Sequence, residues 1–284
     1  MANKLTGKEV AAAITENLVA RCEALDEKGV TPTLAIVRVG ENPSDLAYER
    51  GATNRAAKVG VDLEKIVLEE SAITEDVVSE IEKLNEDNAI DGVLILRPLP
   101  KHIDDDVVRN ALAKEKDVDG IGDEAMAGVY SGKDLGYPPC TAAACIEILK
   151  HYGIPMAGKR AVVVGRSLVI GRPVAMMLMK ENATVTICHT KTENMDEIAR
   201  EADIVIAAAG RANTVSKEFG RAGQTIIDVG INVDEDGNMV GDADFDGLFD
   251  VVENITPVPG GVGGVTTSIL MKHVIEAAEK SCGN

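Results

Sequence analysis

Two rhythms of apolar residues alternate along the chain. Residues 6–28 (TGKEVAAAITENLVARCEALDEK) repeat at helical spacing, with Thr6 placed to cap the start and Gly29 just beyond the end. TLAIVRV (33–39) is a short β-branched run of the kind that forms a strand. The spacing then predicts a helix over 44–59, a strand over 62–68 and a helix over 74–88 opened by Thr-Glu-Asp. GVLIL (92–96) reads as a buried strand halted by Arg97-Pro98-Leu99-Pro100, and a further helix is predicted over about 103–114. Strands alternating with helices of this length imply parallel βαβ units.

Residues 115–140 break the pattern with Asp-Val-Asp-Gly, several glycines and Tyr137-Pro138-Pro139-Cys140, and read as a long inter-domain connection. After a helix at 141–152 a second α/β series begins. It comprises AVVVG (161–165), a helix from about 172, TVTICH (184–189), DIVIAAAG (203–210), TIIDVG (225–230) and a last helix near 265–280. The expected fold class is α/β: two α/β domains, 1–138 and 139–284, with a cleft between them. The second is Rossmann-like with a parallel sheet, and the helix at about 265–280 is free to pack back on the first domain. Such clefts are common small-molecule sites.

Composition narrows the function. Aromatics are only 2% of residues, so the core must be aliphatic. Lys and Arg total 29 against 47 Asp and Glu, a formal charge of −18 that repels phosphate backbones and argues against nucleic acid and anionic membranes. A few backbone amides can still hold a small anion locally. No apolar run reaches the roughly 20 residues of a membrane span, and the N-terminus shows no signal-like apolar region. Five scattered cysteines without a CxxC pair suggest reduced thiols in a cytoplasmic protein, with no metal site.

Residues 160–179 (RAVVVGRSLVIGRPVAMMLM) carry the main chemical signal. A buried strand ends at Gly165, a loop follows, and a helix starts after Gly171 with Pro173 in its first turn, the layout that offers free amides to a pyrophosphate. The spacing is not GxGxxG, and a βα turn that merely needs glycine would look the same. The following strand ends Cys188-His189-Thr190-Lys191-Thr192, without the acid that NAD-preferring domains place there. Hydroxyls and cations at that point, with Arg166 and Ser167, suit the 2′-phosphate of NADP. His189 itself reads as a strand-end histidine bonded to backbone. Near the C-terminus, ITPVPGGVGGVT (255–266) sets two prolines and four glycines before a helix, a loop able to bring backbone close to a flat ligand.

Taken together, VVVGRSxxxGRPV, TVTICHTKT, IIDVGIN, ITPVPGGVGGVT, DGVLILRPLPKHI, EKDVDG and PPCT resemble the bifunctional methylenetetrahydrofolate dehydrogenase/cyclohydrolase (FolD-type) family, in order and over essentially the whole chain. The resemblance implies a cytoplasmic homodimer of two-domain subunits in one-carbon metabolism and purine biosynthesis. NADP would sit on the C-terminal domain and tetrahydrofolate in the cleft. It implies oxidation of 5,10-methylenetetrahydrofolate to the methenyl form, then hydrolysis to 10-formyltetrahydrofolate. Gly165, Arg166 and Ser167 fall on the family's nucleotide loop, Thr190 on a hydroxyl position after the second strand, and Ile231 on the residue that contacts nicotinamide. Tyr48 falls on the Tyr that stacks on folate and Asp119 on the acid that binds the pterin; these two are the catalytic candidates. Pro257, Gly260 and Gly261 fall on the loop against the substrate.

The departures are informative. The family's Tyr-x-x-x-Lys is here Tyr48-Glu49-Arg50-Gly51-Ala52, so the cyclohydrolase Lys is Ala52. Its supporting Gln is Leu96, followed by Arg97 where the family has Leu, and a family Ser is Asp45 with Ser44 beside it. Arg55 shares the helical face of Tyr48 and Ala52, but an arginine stays protonated and cannot replace a Lys that shuttles a proton; Lys58 lies too far along. Hydride transfer asks less of the protein, because the cofactor carries the chemistry. The expected activity is therefore an NADP-dependent dehydrogenase with weak cyclohydrolase. The alternatives are a non-catalytic paralogue that binds folate or nucleotide, and an NADP enzyme of the same fold acting on another small planar substrate.

Overall fold

The computed structural model describes residues 1–283. Its elements run β1 (Asn3–Lys4), α1 (Gly7–Asp26), β2 (Thr33–Val39), α2 (Pro43–Val59), β3 (Asp62–Leu68), α3 (Thr74–Glu86), β4 (Gly92–Ile95), α4 (Asp105–Ala111), α5 (Asp123–Ser131) and α6 (Cys140–His151). They continue β5 (Arg160–Val164), α7 (Gly171–Lys180), β6 (Thr184–Cys188), α8 (Met195–Arg200), β7 (Ile204–Ala207), β8 (Thr225–Asp228), β9 (Asn232–Val233), β10 (Met239–Val240), α9 (Phe245–Phe249), β11 (Asn254–Ile255) and α10 (Gly263–Cys282). The chain folds as two compact units, one holding residues 1–12 and 141–266, the other residues 13–140 and 267 onward.

The smaller sheet has the order β3-β2-β4, all parallel, with Ile36 opposite both Lys65 and Leu94. β2, the central strand, is buried on both faces, and so is the edge strand β4, whereas the other edge, β3, is half-exposed. Val37, Val93 and Ile95 pack against Val77, Ile81 and Val108 of the covering helices. Burying each such side chain stabilises the fold by about 1.5–3 kcal/mol relative to exposing it. Asn42 opens α2 by accepting from the Ser44 amide at 2.9 Å, and Gly60 ends it in the left-handed conformation. Within this unit α10 lies against the sheet edge: a Cβ at Gly92 would crowd Val118 and Val274.

The larger sheet has the order β1-β11-β8-β7-β5-β6, again all parallel, around Val162, Val164, Val205, Ile226 and Ile255. β5 pairs with β6 on one side and β7 on the other, so its carboxyl end is a topological switch point, where ligands bind in open α/β sheets. β9 and β10 form a separate antiparallel hairpin.

Two expectations need correction. The stretch 115–140 is not a plain connection, since α5 occupies Asp123–Ser131 and Val93 bridges Asp117 in parallel, so residues around 117 run beside β4. The helix expected over 103–114 is only Asp105–Ala111, capped by Asp104 through the amides of Asp106 and Val107. No helix among the described residues is long and apolar enough to cross a membrane.

Candidate active site

The carboxyl ends of β5, β6, β7, β8 and β11 carry, in turn, the loop 165–171, residues 189–192, the loop from Ala208, the turn 229–231 and the proline–glycine segment. Gly165 sits at φ +133°, and a Cβ there would overlap the carbonyl of Ala208. A Cβ at Gly171 would overlap the carbonyl of Gly165. Both glycines are therefore required by backbone packing, and together they bring the loop flat onto the strand ends with α7 starting directly behind it. Ser167 shapes this loop. Its hydroxyl accepts from the amides of Ile170 (3.2 Å) and Gly171 (3.4 Å), and its carbonyl accepts from Arg172 N (3.0 Å). Arg166 is exposed, its carbonyl held by Arg172 Nε at 3.1 Å.

Thr190 is exposed beyond β6, and no carboxylate stands at residues 188–192. His189 accepts from the Lys191 amide at Nδ1 (3.1 Å), the backbone role read from its position. Ile231 is 69% exposed, an aliphatic side chain held out of the core at the end of β8. Gly260 lies at φ +102°, and a Cβ on Gly261 would press on the Pro257 carbonyl. These features fit a dinucleotide: a backbone cradle at a switch point, the α7 N-terminus for the phosphates, hydroxyl and cationic groups after β6.

In the other unit the site begins at Tyr48 on α2. Tyr48 is half-buried, and burial, helped by the charges of Asp119 and Cys140, holds its phenol well above the usual range, so it is a neutral aromatic donor at physiological pH. Asp119 follows the segment bridged to β4. Burial pushes its carboxyl up to about 7; the nearby Cys140 thiol and Arg97 draw it down, and Asp117 pushes it further up. The thiol itself donates to the Val118 carbonyl at 3.3 Å. Asp117 is a structural acid, accepting from the amides of Ile121 (3.0 Å) and Gly122 (2.8 Å). Cys140 touches His273 at 3.6 Å, and His273 Nδ1 lies 2.8 Å from the Val118 carbonyl. An aromatic face beside an acid of tunable charge is suited to a flat heterocycle with adjacent N–H donors.

The remaining positions on this face are apolar or tied up. Ala52 is fully buried and Leu96 is 5% exposed. Arg97 forms a two-pronged ion pair with Asp105, Nε to Oδ1 at 2.6 Å and the second nitrogen to Oδ2. Glu49 is buried between Arg38 (3.0 Å) and Lys65 (2.7 Å). Arg55 reaches Thr15 at 3.0 Å, Lys58 is exposed, and buried Asp45 has the Ser44 hydroxyl at 3.5 Å.

Fold and loops together define a two-unit α/β enzyme class with a nucleotide-binding sheet. Residues 139–282 match the model of the tetrahydrofolate dehydrogenase/cyclohydrolase NAD(P)-binding domain, and residues 5–119 match that of the tetrahydrofolate dehydrogenase/cyclohydrolase catalytic domain. The chain belongs to the tetrahydrofolate dehydrogenase/cyclohydrolase family. It is 51% identical over 277 residues to the bifunctional protein FolD of Alkaliphilus oremlandii (strain OhILAs), covering 98% of this chain and 97% of that one. The bifunctional FolD of Campylobacter jejuni superposes with a TM-score of 0.96 at 35% identity, covering 99% of each chain. The Trypanosoma brucei FolD, solved with NADP cofactor and inhibitor, superposes at 0.94 with 34% identity, covering 100% of this chain and 99% of that one.

Tyr48 and Asp119 thus meet in one unit, while Gly165, Arg166, Ser167, Thr190, Ile231, Pro257, Gly260 and Gly261 lie on strand ends of the other. Two further residues belong to these sites. Cys140 was visible as a scattered thiol and within PPCT, and nothing in its residue type announces its contacts with Val118 and His273. Asp242, in Gly241-Asp242-Ala243-Asp244, carried one faint signal, a glycine beside an acid shortly after the 228–232 segment.

Proposed function

We propose that this protein oxidises 5,10-methylenetetrahydrofolate to 5,10-methenyltetrahydrofolate with NADP and hydrolyses the product only weakly. The observation that carries the second clause is the burial of Ala52 and Leu96 in the positions of the family's Lys and Gln. An apolar wall there has no group to activate a water or take its proton. Arg55 and Arg97 do not substitute, since a guanidinium stays protonated near neutral pH.

The dehydrogenase half needs positioning more than acid–base chemistry. Bound NADP supplies the hydride acceptor. The loop 165–171 and the α7 N-terminus hold its phosphates, Thr190 with Arg166 meets the 2′-phosphate, and Ile231 lies against the nicotinamide. Tyr48 stacks on the pterin and Asp119 takes its N–H donors. The electron pair that expels hydride comes from the substrate's own nitrogen, so no protein base is required. That a relative in this family was solved with NADP cofactor supports the same reading.

The test follows NADPH formation and decay of the methenyl absorbance separately. Expected is brisk NADPH production with accumulation of methenyltetrahydrofolate. Rapid enzyme-dependent methenyl decay would refute the second clause, and no NADPH the first. Homodimerisation and a cytoplasmic location, carried over from the family, belong to the same proposal; sedimentation of the purified protein reads the first directly.

A further inference from the structure

We infer that Asp242 is a positioning residue for the dehydrogenase step, its carboxylate fixing the turn that carries Ile231 against the loop after β7. The inference rests on the NADP reading above and goes beyond it, since it concerns a side chain that reaches neither ligand.

Asp242 is fully buried, yet its two oxygens serve two different loops. Oδ2 accepts from the Gly210 amide at 2.8 Å, just past β7, and Oδ1 accepts from the Asn232 side-chain amide at 2.9 Å, just past Ile231. Asp228, at the end of β8, braces the same corner from below. It accepts from the amides of Gly230 (2.9 Å), Asp242 (3.0 Å) and Ala243 (2.9 Å), while its own amide donates to Thr256 Oγ1 at 2.7 Å, where the proline–glycine segment starts. Two ligand-facing loops are thereby registered through two carboxylates, and a third, the proline–glycine segment, through the backbone amide of Asp228. The glycines confirm how close the fit is: a Cβ on Gly230 would strike the Asp242 carboxylate, and one on Gly241 would strike that of Asp228.

Placing two carboxylates side by side in a dry corner is unfavourable; burial, with Asp242 adding, pushes the Asp228 carboxyl up to about 6. A single-acceptor side chain would avoid that cost but could not bridge two donors in different loops. Ile231, being exposed, has no packing of its own to fix it, so its position depends on this bridge. Hydride transfer is steep in distance, and a misplacement of about 1 Å is able to cost up to roughly 10²-fold in rate.

The experiment compares Asp242→Asn, Asn232→Asp and the double variant in the full chain. The new amide in Asp242→Asn offers one acceptor where two donors converge. We expect kcat to fall about 10-fold and KM for NADP to rise, with KM for the folate within about twofold and a larger primary deuterium isotope effect from substrate labelled at the one-carbon group. In the double variant the amide accepts from Gly210 and donates to the new carboxylate at 232, so most of the kcat loss is recovered. Unchanged kcat, NADP KM and isotope effect in Asp242→Asn would overturn the proposal, as would a double variant no better than the single one. If Asp242→Asn does not fold, Asn232→Ala on the half-buried turn gives the same readout, with loss of kcat supporting and no change overturning. A parent protein without NADP-dependent oxidation defeats the functional reading instead, and the bridge is then judged by NADPH affinity of the same variants.

Discussion

The loop 165–171 and the face around Ala52 present opposite kinds of evidence. In the loop the requirement is written into the backbone: Gly165 and Gly171 stand where no Cβ fits, whatever is bound. On the face around Ala52, in α2 and just past β4, the identities of the side chains rather than the backbone decide the chemistry. A site built from main chain is thus preserved as long as the fold is, whereas a site built from side chains is able to lose one activity and keep another. Tyr48 and Asp119 are present while Ala52 and Leu96 are buried apolar residues, the combination that the proposed separation of oxidation from hydrolysis requires.

The largest effects should come from the backbone site. Gly165→Ala forces a Cβ into the Ala208 carbonyl at a φ that side chains rarely adopt. We expect a loss of about 3 kcal/mol of stability and more than about 10²-fold in NADP affinity. Thermal melting with and without NADP measures both. A variant that melts and binds like its parent would show that the loop has room the structure denies it.

Asp119→Asn separates stability from function. The carboxyl titrates near 7 in the fold against an ordinary value of 3.8, because burial disfavours its charge. Ionising it therefore destabilises the folded state above pH 7, and this penalty fades as the pH falls toward 4. The amide variant should be more stable than its parent by about 1–3 kcal/mol at pH 8, a gain that vanishes near pH 4. Turnover should nonetheless fall by about 10²-fold or more, since donors on the pterin lose an ionised acceptor. In the parent, KM for the folate should rise as the pH drops below 7. Urea unfolding across pH, beside steady-state kinetics, tests all three.

Restoring the polar pair tests the side-chain face. Ala52→Lys with Leu96→Gln should raise methenyl hydrolysis by about 10-fold, within the usual range for a positioned acid–base group. Ala52→Lys alone places an ammonium at a fully buried position and should lower the melting temperature without comparable activity. If neither variant hydrolyses faster than its parent, methenyl hydrolysis depends on more than these two residues.

The strands legible in the sequence were those with a local cause. β2 and β3 fall on the expected 33–39 and 62–68, because short stretches rich in aliphatic residues and bounded by turn residues need no partner to be recognised. α5 escaped because Gly120, Gly122, Gly128 and Gly132 crowd a nine-residue helix and mask its periodicity. β1 and β11 have two residues each and exist only through long-range pairing, Asn3 opposite Asn254 and Asn254 opposite Thr225, a register that no local pattern encodes. The same holds for the site. Gly165, Tyr48 and Asp119 stand in recognisable motifs, while Asp242 acts through contacts made by distant segments, and so does Cys140 although PPCT marks its position.

The smallest effect expected is the most selective. Thr190 is exposed after β6, so Thr190→Asp should leave the melting temperature unchanged. A carboxylate there repels a 2′-phosphate and accepts from a ribose 2′-hydroxyl, so it should lower kcat/KM for NADP and raise it for NAD. A shift of about 10-fold in the ratio corresponds to roughly 1.4 kcal/mol, a reasonable size for one partly solvated charge pair. The effect should shrink as salt rises, because both charges face water. An unchanged ratio at low ionic strength would place the adenosine ribose away from Thr190 and leave Arg166 alone to select the phosphate. A shift equal to that of an Arg166→Ala variant, with no further change when the two are combined, would show both side chains reading the same group.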